Sequence, residues 1–386
     1  MFVKREIVKA MQSMVVKYPI IALTGPRQSG KTTLLRAMFP DYRYISLENP
    51  DIRQFAETDP REFLNQYDSH VIFDEVQRVP HLFSYIQSVV DESREMGQFI
   101  FSGSQNFHLM HNITQSLAGR VAIFRLFPFD FHELKSSELL ENDYASLLIK
   151  GFYPAIYDRG ILPSDYFPNY IETYVQRDVS ELISVQDMTL FRKFLALCAT
   201  RAGQILNMSS MAKECGISTP TVKAWLSALE SSYIIYLLNP YHKNFSKRII
   251  KSPKLYFYDT GLLSNLLKIN DVFKINNQSI KGALFENMII SEYLKQIYHK
   301  NARMIEPWYW RDSHGNEVDL LLEKPQQIEA VEIKATATIT SNLFKGLNFF
   351  SDISDINNLK KTLVYGGAEN QQRTAGRVIS WKDLEL

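Results

Sequence analysis

The decisive stretch of the chain reads Gly25-Pro26-Arg27-Gln28-Ser29-Gly30-Lys31-Thr32. It is an unbroken match to the phosphate-loop pattern G-x-x-x-x-G-K-[ST], and the apolar run at residues 20–23 leads directly into it. In such a loop the backbone N–H groups surround phosphate oxygens, the lysine neutralises the β- and γ-phosphates, and the last hydroxyl binds Mg²⁺. A helix expected from Lys31 onward adds the positive end of its dipole. The segment, extended by Thr33, therefore predicts a strand, a triphosphate-binding loop and a helix.

A second segment carries the acidic residues that such a site requires. Asp74 and Glu75 follow the apolar run at residues 71–73, about forty residues after the loop. Asp74 would hold Mg²⁺ through water, and Glu75 would polarise the water that attacks the γ-phosphate. The alternative is an ordinary solvated strand end, but the apolar lead-in and the distance from the loop favour the functional interpretation.

Further polar residues are candidates for sensing the nucleotide. Ser104 and Gln105 end the run that begins at residue 98, where they would sense the γ-phosphate or orient the water; a plain strand-ending turn explains them nearly as well. Arg120 precedes the last apolar run and is the preferred arginine to stabilise the transition state, in its own or a neighbouring subunit. For Arg177, on a predicted helix near a domain junction, a local salt bridge is favoured over the nucleotide.

Apolar runs alternate with helical stretches through the first 130 residues. The runs lie at residues 20–23, 42–47, 71–74, 99–102 and 121–126. Repeated strand–helix–strand units give a parallel sheet with helices on both faces, and ligands bind at the carboxyl ends of its strands. The predicted fold class is therefore α/β, beginning with a parallel-sheet domain that contains the phosphate loop.

Composition limits what the rest of the chain can be. With 386 residues it is long enough for two or three domains. The net charge is only +1, so affinity for nucleic acid must come from local patches. Cys198 and Cys215 lack the spacing of metal ligands and indicate ordinary thiols in a reducing compartment. No apolar run approaches the ~18 residues of a membrane span, and the amino terminus lacks the apolar core of a signal peptide; we expect a cytoplasmic protein without a membrane partner.

The middle of the chain predicts a helical lid followed by a winged helix. Residues 131–185 are helical and rich in tyrosine, which favours packing between domains over a ligand site. Helices are expected at residues 191–202, 209–216 and 218–230, the second ending in a glycine and the third beginning near a proline. Strands at residues 233–238 and 255–258 would complete the winged helix.

The connection between those two strands is the one concentrated basic element. It carries Lys243, Lys247, Arg248, Lys251 and Lys254 and no acidic residue. Such a cluster suits a wing that lies on the phosphate backbone of double-stranded DNA. The third helix offers only Lys223 and small hydroxyl side chains for base edges, so the pattern predicts weak sequence specificity. The alternative is a solvated basic hairpin in a domain that contacts proteins.

The C-terminal part holds a second acidic pattern. Glu286 lies on a predicted helix, Asp319 in a predicted strand, and Glu332 and Lys334 on the strand at residues 328–334. Residues two apart leave the same face of a strand, so Glu332 and Lys334 form an E-x-K unit beside Asp319. Two carboxylates can chelate Mg²⁺ and a lysine can activate water. A cross-strand salt bridge is the alternative.

The order of these C-terminal elements resembles the PD-(D/E)XK nuclease fold, and the whole chain resembles the prokaryotic AAA-type ATPases that carry an uncharacterised C-terminal domain. Besides the phosphate loop, the matching pieces are Asp74-Glu75-Val76-Gln77, Ser102-Gly103-Ser104, Leu117-Ala118-Gly119-Arg120, Tyr258-Asp259-Thr260-Gly261-Leu262, Phe285-Glu286-Asn287, Glu317-Val318-Asp319 and Glu332-Ile333-Lys334. The resemblance implies ATP as the nucleotide and a restriction-endonuclease-like C-terminal fold. Glu48 departs from it, because an aspartate is expected there.

These observations divide the chain into a P-loop core (residues 1–130), a helical lid (131–185), a winged helix (186–265) and a nuclease-like α/β domain (266–386). The leading hypothesis is an Mg²⁺-dependent ATPase whose nucleotide state moves the last two modules on DNA. A nucleotide-gated protein-interaction switch without DNA is the alternative, and a kinase-like phosphotransferase lacks a recognisable acceptor site. AAA relatives often form rings, so a homo-oligomer is one option beside a monomer or dimer.

Overall fold

A computed structural model describes residues 3–104, 113, 115–175, 187–242, 251–277 and 280–386. Packing divides the chain into two units. The first comprises Met1–Phe129, Ser231–Tyr233 and Tyr298–Asn301, and the second comprises Asp130–Glu230, Ile234–Ile297 and Ala302–Leu386. Five of the predicted functional positions lie outside the described residues: Gln105, Arg177, Lys243, Lys247 and Arg248.

The first unit is built on a five-stranded parallel sheet with the order β2-β3-β4-β1-β5. Its strands are β1 (Ile20–Thr24), β2 (Arg43–Ser46), β3 (Val71–Asp74), β4 (Phe99–Gly103) and β5 (Val121–Arg125). Its helices are α1 (Ile7–Val15), α2 (Lys31–Met38), α3 (Pro50–Thr58), α4 (Pro60–Gln66) and α5 (Leu82–Ser93). The predicted parallel α/β sheet is confirmed.

Alternate side chains of β1 enter two different hydrophobic cores. Ile20 and Ala22 pack in the core that contains side chains of α3, α4 and α5. Ile21 and Leu23 pack in the core that contains side chains of α1 and α2. Because successive strand residues point to opposite faces, a strand covered on both faces has to be apolar at every position. This is why residues 20–23 form an unbroken apolar run.

From residue 130 onward the chain is first helical. The helices are α6 (Phe131–Ser136), α7 (Tyr144–Lys150), α8 (Pro154–Arg159), α9 (Pro163–Tyr170), α10 (Met188–Thr200), α11 (Met208–Cys215) and α12 (Thr219–Ser231). An antiparallel pair, β6 (Ile235–Leu238) and β7 (Lys254–Phe257), follows, and then α13 (Thr260–Leu266), α14 (Val272–Asn277) and α15 (Lys281–His299). Three of the tyrosines that suggested packing between domains, Tyr153, Tyr166 and Tyr170, are buried inside the second unit, where the rings of Tyr153 and Tyr170 lie 4.8 Å apart.

The chain ends in a six-stranded mixed sheet with the order β12-β13-β11-β10-β9-β8. Its strands are β8 (Glu306–Arg311), β9 (Glu317–Lys324), β10 (Gln327–Lys334), β11 (Leu359–Tyr365), β12 (Gln371–Arg373) and β13 (Gly376–Ser380). Helix α16 (Lys345–Ile353) packs Leu347 and Phe350 into a core with Trp310 and Leu321. The sheet is completed by β12 and β13, which follow β11 along the chain. Within the described part of the chain, no helix is both long and apolar enough to cross a membrane.

Candidate nucleotide site and a second acidic cluster

The phosphate loop joins the carboxyl end of β1 to the first turn of α2. Gly25 has a φ of +145°, and a Cβ atom at this position would lie 2.1 Å from the carbonyl oxygen of Leu126. Gly30 caps α2 with a φ of +92°. A side chain at residue 25 would clash with the backbone of Leu126, and residue 30 has a left-handed conformation. The backbone path therefore requires both glycines.

The charged group of the loop lies over the loop's own backbone. The Lys31 ammonium donates to the carbonyl oxygens of Gly25 (2.9 Å) and Pro26 (2.8 Å), and the residue is only 7% exposed. Thr32 is half-buried, whereas Thr33 is exposed. The Ser29 hydroxyl is buried and has no hydrogen-bond partner among the described residues. The loop thus presents an ammonium and hydroxyl groups, the chemistry expected of a phosphate-binding loop.

Arg5 supports the loop from outside the motif. Its guanidinium donates to the carbonyl oxygens of Ser29 (2.9 Å) and Phe127 (2.6 Å), and it lies 5.0 Å from the ring centroid of Phe129. The residue is 5% exposed. The sequence interpretation missed Arg5, because its partners are 24 and 122 residues away along the chain. It ties the loop to the segment that follows β5.

The acidic pair lies at the carboxyl end of β3. Asp74 is the last residue of this strand, and Glu75 adopts a left-handed backbone conformation with a φ of +54°. Such a conformation is strained for a residue with a side chain and is often found at functional sites. The buried Glu75 carboxylate accepts hydrogen bonds from Gln77 (2.5 Å) and Ser104 (3.3 Å). The structure therefore brings Ser104, beyond the end of β4, to Glu75.

Tyr44 links the acidic strand to the loop. Its hydroxyl donates to the Asp74 carboxylate, and the side chains of Ser46 and Thr32 lie near enough to lower its pKa. Tyr44 therefore contacts one predicted magnesium ligand, Asp74, and lies near the other, Thr32. Burial, together with the hydrogen bond to Asp74, raises the pKa of Tyr44, so the phenol keeps its proton. Loop and acidic pair converge at one edge of the sheet, as expected for the carboxyl ends of parallel strands.

The residues present fit a magnesium-bound triphosphate. Mg²⁺ prefers oxygen ligands and usually retains several waters, so one carboxylate and one hydroxyl from the protein are a sufficient set. Asp74 and Thr32 offer these oxygens, and the Ser29 hydroxyl adds a further polar group in the loop.

Arg120 lies at the opposite edge of the sheet. Its carbonyl oxygen accepts a hydrogen bond from the backbone of Ile20, at the start of β1, whereas the loop follows the end of β1. At ~3.3 Å per residue these ends are roughly 13 Å apart. Its guanidinium is held by both carboxylate oxygens of Asp91, at 2.6 and 2.8 Å. The structure does not bring Arg120 to the loop of its own chain, so only the neighbouring-subunit role remains as a prediction.

A second cluster of charges lies within the second unit. The Lys334 ammonium is 2.6 Å from Glu332 and 3.4 Å from Asp319. Asp319 also accepts a hydrogen bond from the backbone of Ile333 at 2.8 Å. The alternative of a cross-strand salt bridge, left open by the sequence, is therefore present in this cluster.

Lys254 completes the cluster, which is a correction to the sequence analysis. It was predicted to contact DNA, but it is 2% exposed and pairs with Glu286 (3.2 Å) and with Glu317. It cannot contact DNA phosphates from this position. Its strand, β7, directs this side chain toward α15 and β9, and the sequence of the hairpin did not indicate which lysine faces inward. Lys223 and Lys251, by contrast, are exposed.

The protonation of this cluster is shifted by burial and by neighbouring charge. Burial raises the pKa of Glu332 to about 8; Asp319 adds to this shift and Lys334 opposes it. Burial likewise raises the pKa of Glu286. Burial alone would lower the pKa of Lys254, but the surrounding acidic groups hold it well above its usual value.

Two ammonium groups already occupy the predicted metal site. Asp319 and Glu332, the two carboxylates predicted to chelate Mg²⁺, lie 3.4 and 2.6 Å from the Lys334 ammonium. The Lys254 ammonium pairs with Glu286 and Glu317. Among the described residues of this cluster, no three acidic side chains bring one oxygen each within 4.8 Å of one another. Binding of Mg²⁺ by Asp319 and Glu332 stays a prediction.

Comparison with known proteins agrees with the fold of the first unit. Residues 17–135 match a family described as "AAA domain", and the parallel sheet with its phosphate loop has the fold of a P-loop ATPase. Residues 141–272 and 281–384 match two families described as domains of unknown function, DUF8612 and DUF4143.

Similar individual proteins are themselves little described. The uncharacterized proteins Mb2031c of Mycobacterium bovis and Rv2008c of Mycobacterium tuberculosis are each 28% identical over 344 residues, which cover 87% of this chain and 74% of theirs. The Walker-type ATPase paby2304 of Pyrococcus abyssi is 14% identical with a TM-score of 0.43, covering 68% of this chain and 95% of that one. AMPPCP-bound DnaA from Aquifex aeolicus is 18% identical with a TM-score of 0.29, and the match covers 58% of this chain and 86% of that one. These structural likenesses are too partial to assign an activity.

Proposed function

We propose that the first unit binds ATP with Mg²⁺ and hydrolyses it. The observation that carries this proposal is that the Lys31 loop, which follows β1, and Asp74, which ends β3, lie at the same edge of the parallel sheet. Oxygen ligands and an ammonium at the carboxyl edge of a parallel sheet form the arrangement that triphosphate binding requires.

Each residue of the site then has a defined role. The loop backbone and Lys31 hold the β- and γ-phosphates, while Thr32 and Asp74 hold Mg²⁺, which neutralises developing charge on the phosphate oxygens. Glu75 accepts a proton from the attacking water. Ser104 and Gln77 orient the Glu75 carboxylate, since both donate hydrogen bonds to it.

The loop is tested by replacing its lysine. Lys31→Ala should abolish binding of a fluorescent ATP analogue, because the charge on the β- and γ-phosphates is no longer neutralised. Lys17→Ala removes an exposed lysine of the same unit and serves as the matched control. Retention of normal ATP affinity by Lys31→Ala would contradict the site.

Arg120 enters the proposal as a residue supplied to another copy of the chain. It is exposed at the start of β5, far from its own loop, and its ion pair with Asp91 is on the surface. Surface ion pairs contribute little to stability, so this arginine is free to exchange partners at modest cost. We therefore propose a homo-oligomer in which Arg120 completes the site of a neighbour.

For the second unit we propose a winged helix and a nuclease-like fold that bind double-stranded DNA without cleaving it. Helices α10 to α12 followed by the β6–β7 pair have the element order of a winged helix. Lys223 and Lys251 supply exposed positive charge. We propose no cleavage, because Lys334 already pairs with Asp319 and Glu332, the two carboxylates that would have to bind Mg²⁺.

A gel shift at graded salt tests DNA binding. With Lys243, Lys247, Arg248 and Lys251 on phosphates, the slope of log K against log salt should be roughly −3.6, from about −0.9 per contact. Neutralising Lys223 and Lys251 should weaken binding, whereas Lys17→Ala should not. Metal-dependent cleavage by the wild type, lost in Asp319→Ala, would overturn the non-cleaving part of the proposal.

The burial of Lys254 favours a second candidate function. It removes one of the five cations on which the DNA hypothesis was based. In this alternative the chain is a nucleotide-gated switch that contacts proteins. It predicts no gel shift at any salt concentration and no effect of neutralising Lys223 or Lys251.

A further inference from the structure

Tyr44 lies against a predicted ligand of Mg²⁺. Its hydroxyl donates to Asp74, the acidic residue that ends β3. The ring is fixed separately, since the Arg36 guanidinium lies 4.9 Å from its centroid. Tyr44 is therefore placed by two independent contacts.

We propose that Tyr44 competes with Mg²⁺ for Asp74, so that its hydroxyl caps this carboxylate in the metal-free protein and leaves it when Mg²⁺ and ATP bind. This inference rests on the proposed function and specifies how its metal step is controlled. A carboxylate that receives a hydrogen bond from a phenol has to give up that bond, or share the oxygen, before it can hold a hydrated cation.

The physical basis is that the Asp74 carboxylate exchanges one stabilising partner, the Tyr44 hydroxyl, for another, Mg²⁺. In the metal-free protein the Tyr44 hydroxyl satisfies the half-buried Asp74 carboxylate, which is costly to leave unpaired. Each binding event of Mg²⁺ includes the loss of this hydrogen bond, so the apparent affinity for Mg²⁺ is lower than Asp74 and Thr32 alone would give. Removal of the hydroxyl removes that competition.

Tyr44→Phe tests this directly, because it deletes the hydroxyl and keeps the ring on Arg36. The Mg²⁺ concentration that half-saturates binding of a fluorescent ATP analogue should fall roughly 10- to 100-fold, which is the effect of one charge-assisted hydrogen bond. Affinity for the analogue in excess EDTA should be unchanged. The melting temperature of the metal-free protein should fall, while the increase caused by Mg²⁺ and ATP should be larger than in the wild type.

The matched control is Tyr42→Phe. The Tyr42 hydroxyl donates to the carbonyl oxygen of Gly97 (2.7 Å), away from the loop. This variant should lower the melting temperature without changing the Mg²⁺ requirement. If Tyr44→Phe behaved in the same way, or needed more Mg²⁺ than the wild type, Tyr44 would not be a competitor. Failure of the wild type to bind the analogue at all would instead contradict the proposed function.

Discussion

Replacing Arg5 with methionine should destabilise the first unit and weaken ATP binding. The buried Arg5 guanidinium donates to two carbonyl oxygens, that of Ser29 in the phosphate loop and that of Phe127 in the segment after β5. A hydrogen bond from a charged donor contributes about 1.5–3 kcal/mol, and methionine leaves both acceptors unpaired while keeping apolar contact with Phe129. Allowing for partial relaxation, we expect the free energy of unfolding to fall by ~2–4 kcal/mol.

The assay can separate the two units. All four tryptophans belong to the second unit: Trp225, Trp308, Trp310 and Trp381. Tryptophan emission therefore follows that unit during urea denaturation, whereas far-ultraviolet circular dichroism follows both. Arg5→Met should shift only the circular dichroism transition, and affinity for an ATP analogue should fall roughly tenfold, equivalent to about 1.4 kcal/mol of lost loop positioning.

The controls for Arg5 lie beside it in the sequence. Lys4→Met removes an exposed charge and should change neither measurement. Arg5→Lys keeps a charge but loses the forked donor geometry, so it should be intermediate. A loss of stability below about 0.5 kcal/mol, with normal ATP affinity, would refute the role of Arg5 as a support of the loop.

Three further predictions concern the two sites. Glu75→Gln should bind ATP normally but hydrolyse it at least ~100-fold more slowly, since the general base is lost; unchanged turnover would exclude this role. Lys254→Met removes a buried ammonium from the partly buried Glu286 and Glu317, whose remaining partners among the described residues are Tyr256 and Arg311. It should lower the free energy of unfolding by ~2–4 kcal/mol in a tryptophan-monitored urea titration, whereas exposed Lys251→Met should change it by less than ~0.5 kcal/mol. Burial raises the folded-state pKa of Glu332 to about 8, so the protonated carboxyl stabilises the folded protein. This stabilisation is fully present below the unfolded-state pKa of ~4.3 and is lost as pH rises through about 8. Glu332→Gln should therefore flatten the fall in stability between pH 6 and 9, and an unchanged pH profile would argue against the shifted pKa.

The parts of the fold that could be predicted are those in which the residue types of a short segment depend directly on its burial or on its backbone conformation. Residues 20–23 are apolar at every position because β1 is covered on both faces. Gly25 and Gly30 mark backbone conformations that other residues rarely adopt. Asp74 could be placed at the end of a strand because an apolar run leads directly into it.

What could not be predicted depends on contacts between distant segments. Lys254 belongs to a run of cations, and only packing of β7 reveals that it faces carboxylates instead of solvent. Arg5 and Tyr44 are an ordinary arginine and one of 20 tyrosines until their partners are known. The short strand β12 carries mostly polar residues, so it lacks the apolar pattern on which strand prediction relies.

Arg120 and the loop stand at opposite ends of the parallel strands β1 and β5. If this arginine takes part in hydrolysis, turnover per chain has to fall on dilution, since encounters between copies become rare. Mixing Arg120→Ala chains with Lys31→Ala chains, each inert by itself, should then restore activity: one kind contributes an intact loop and the other the missing cation.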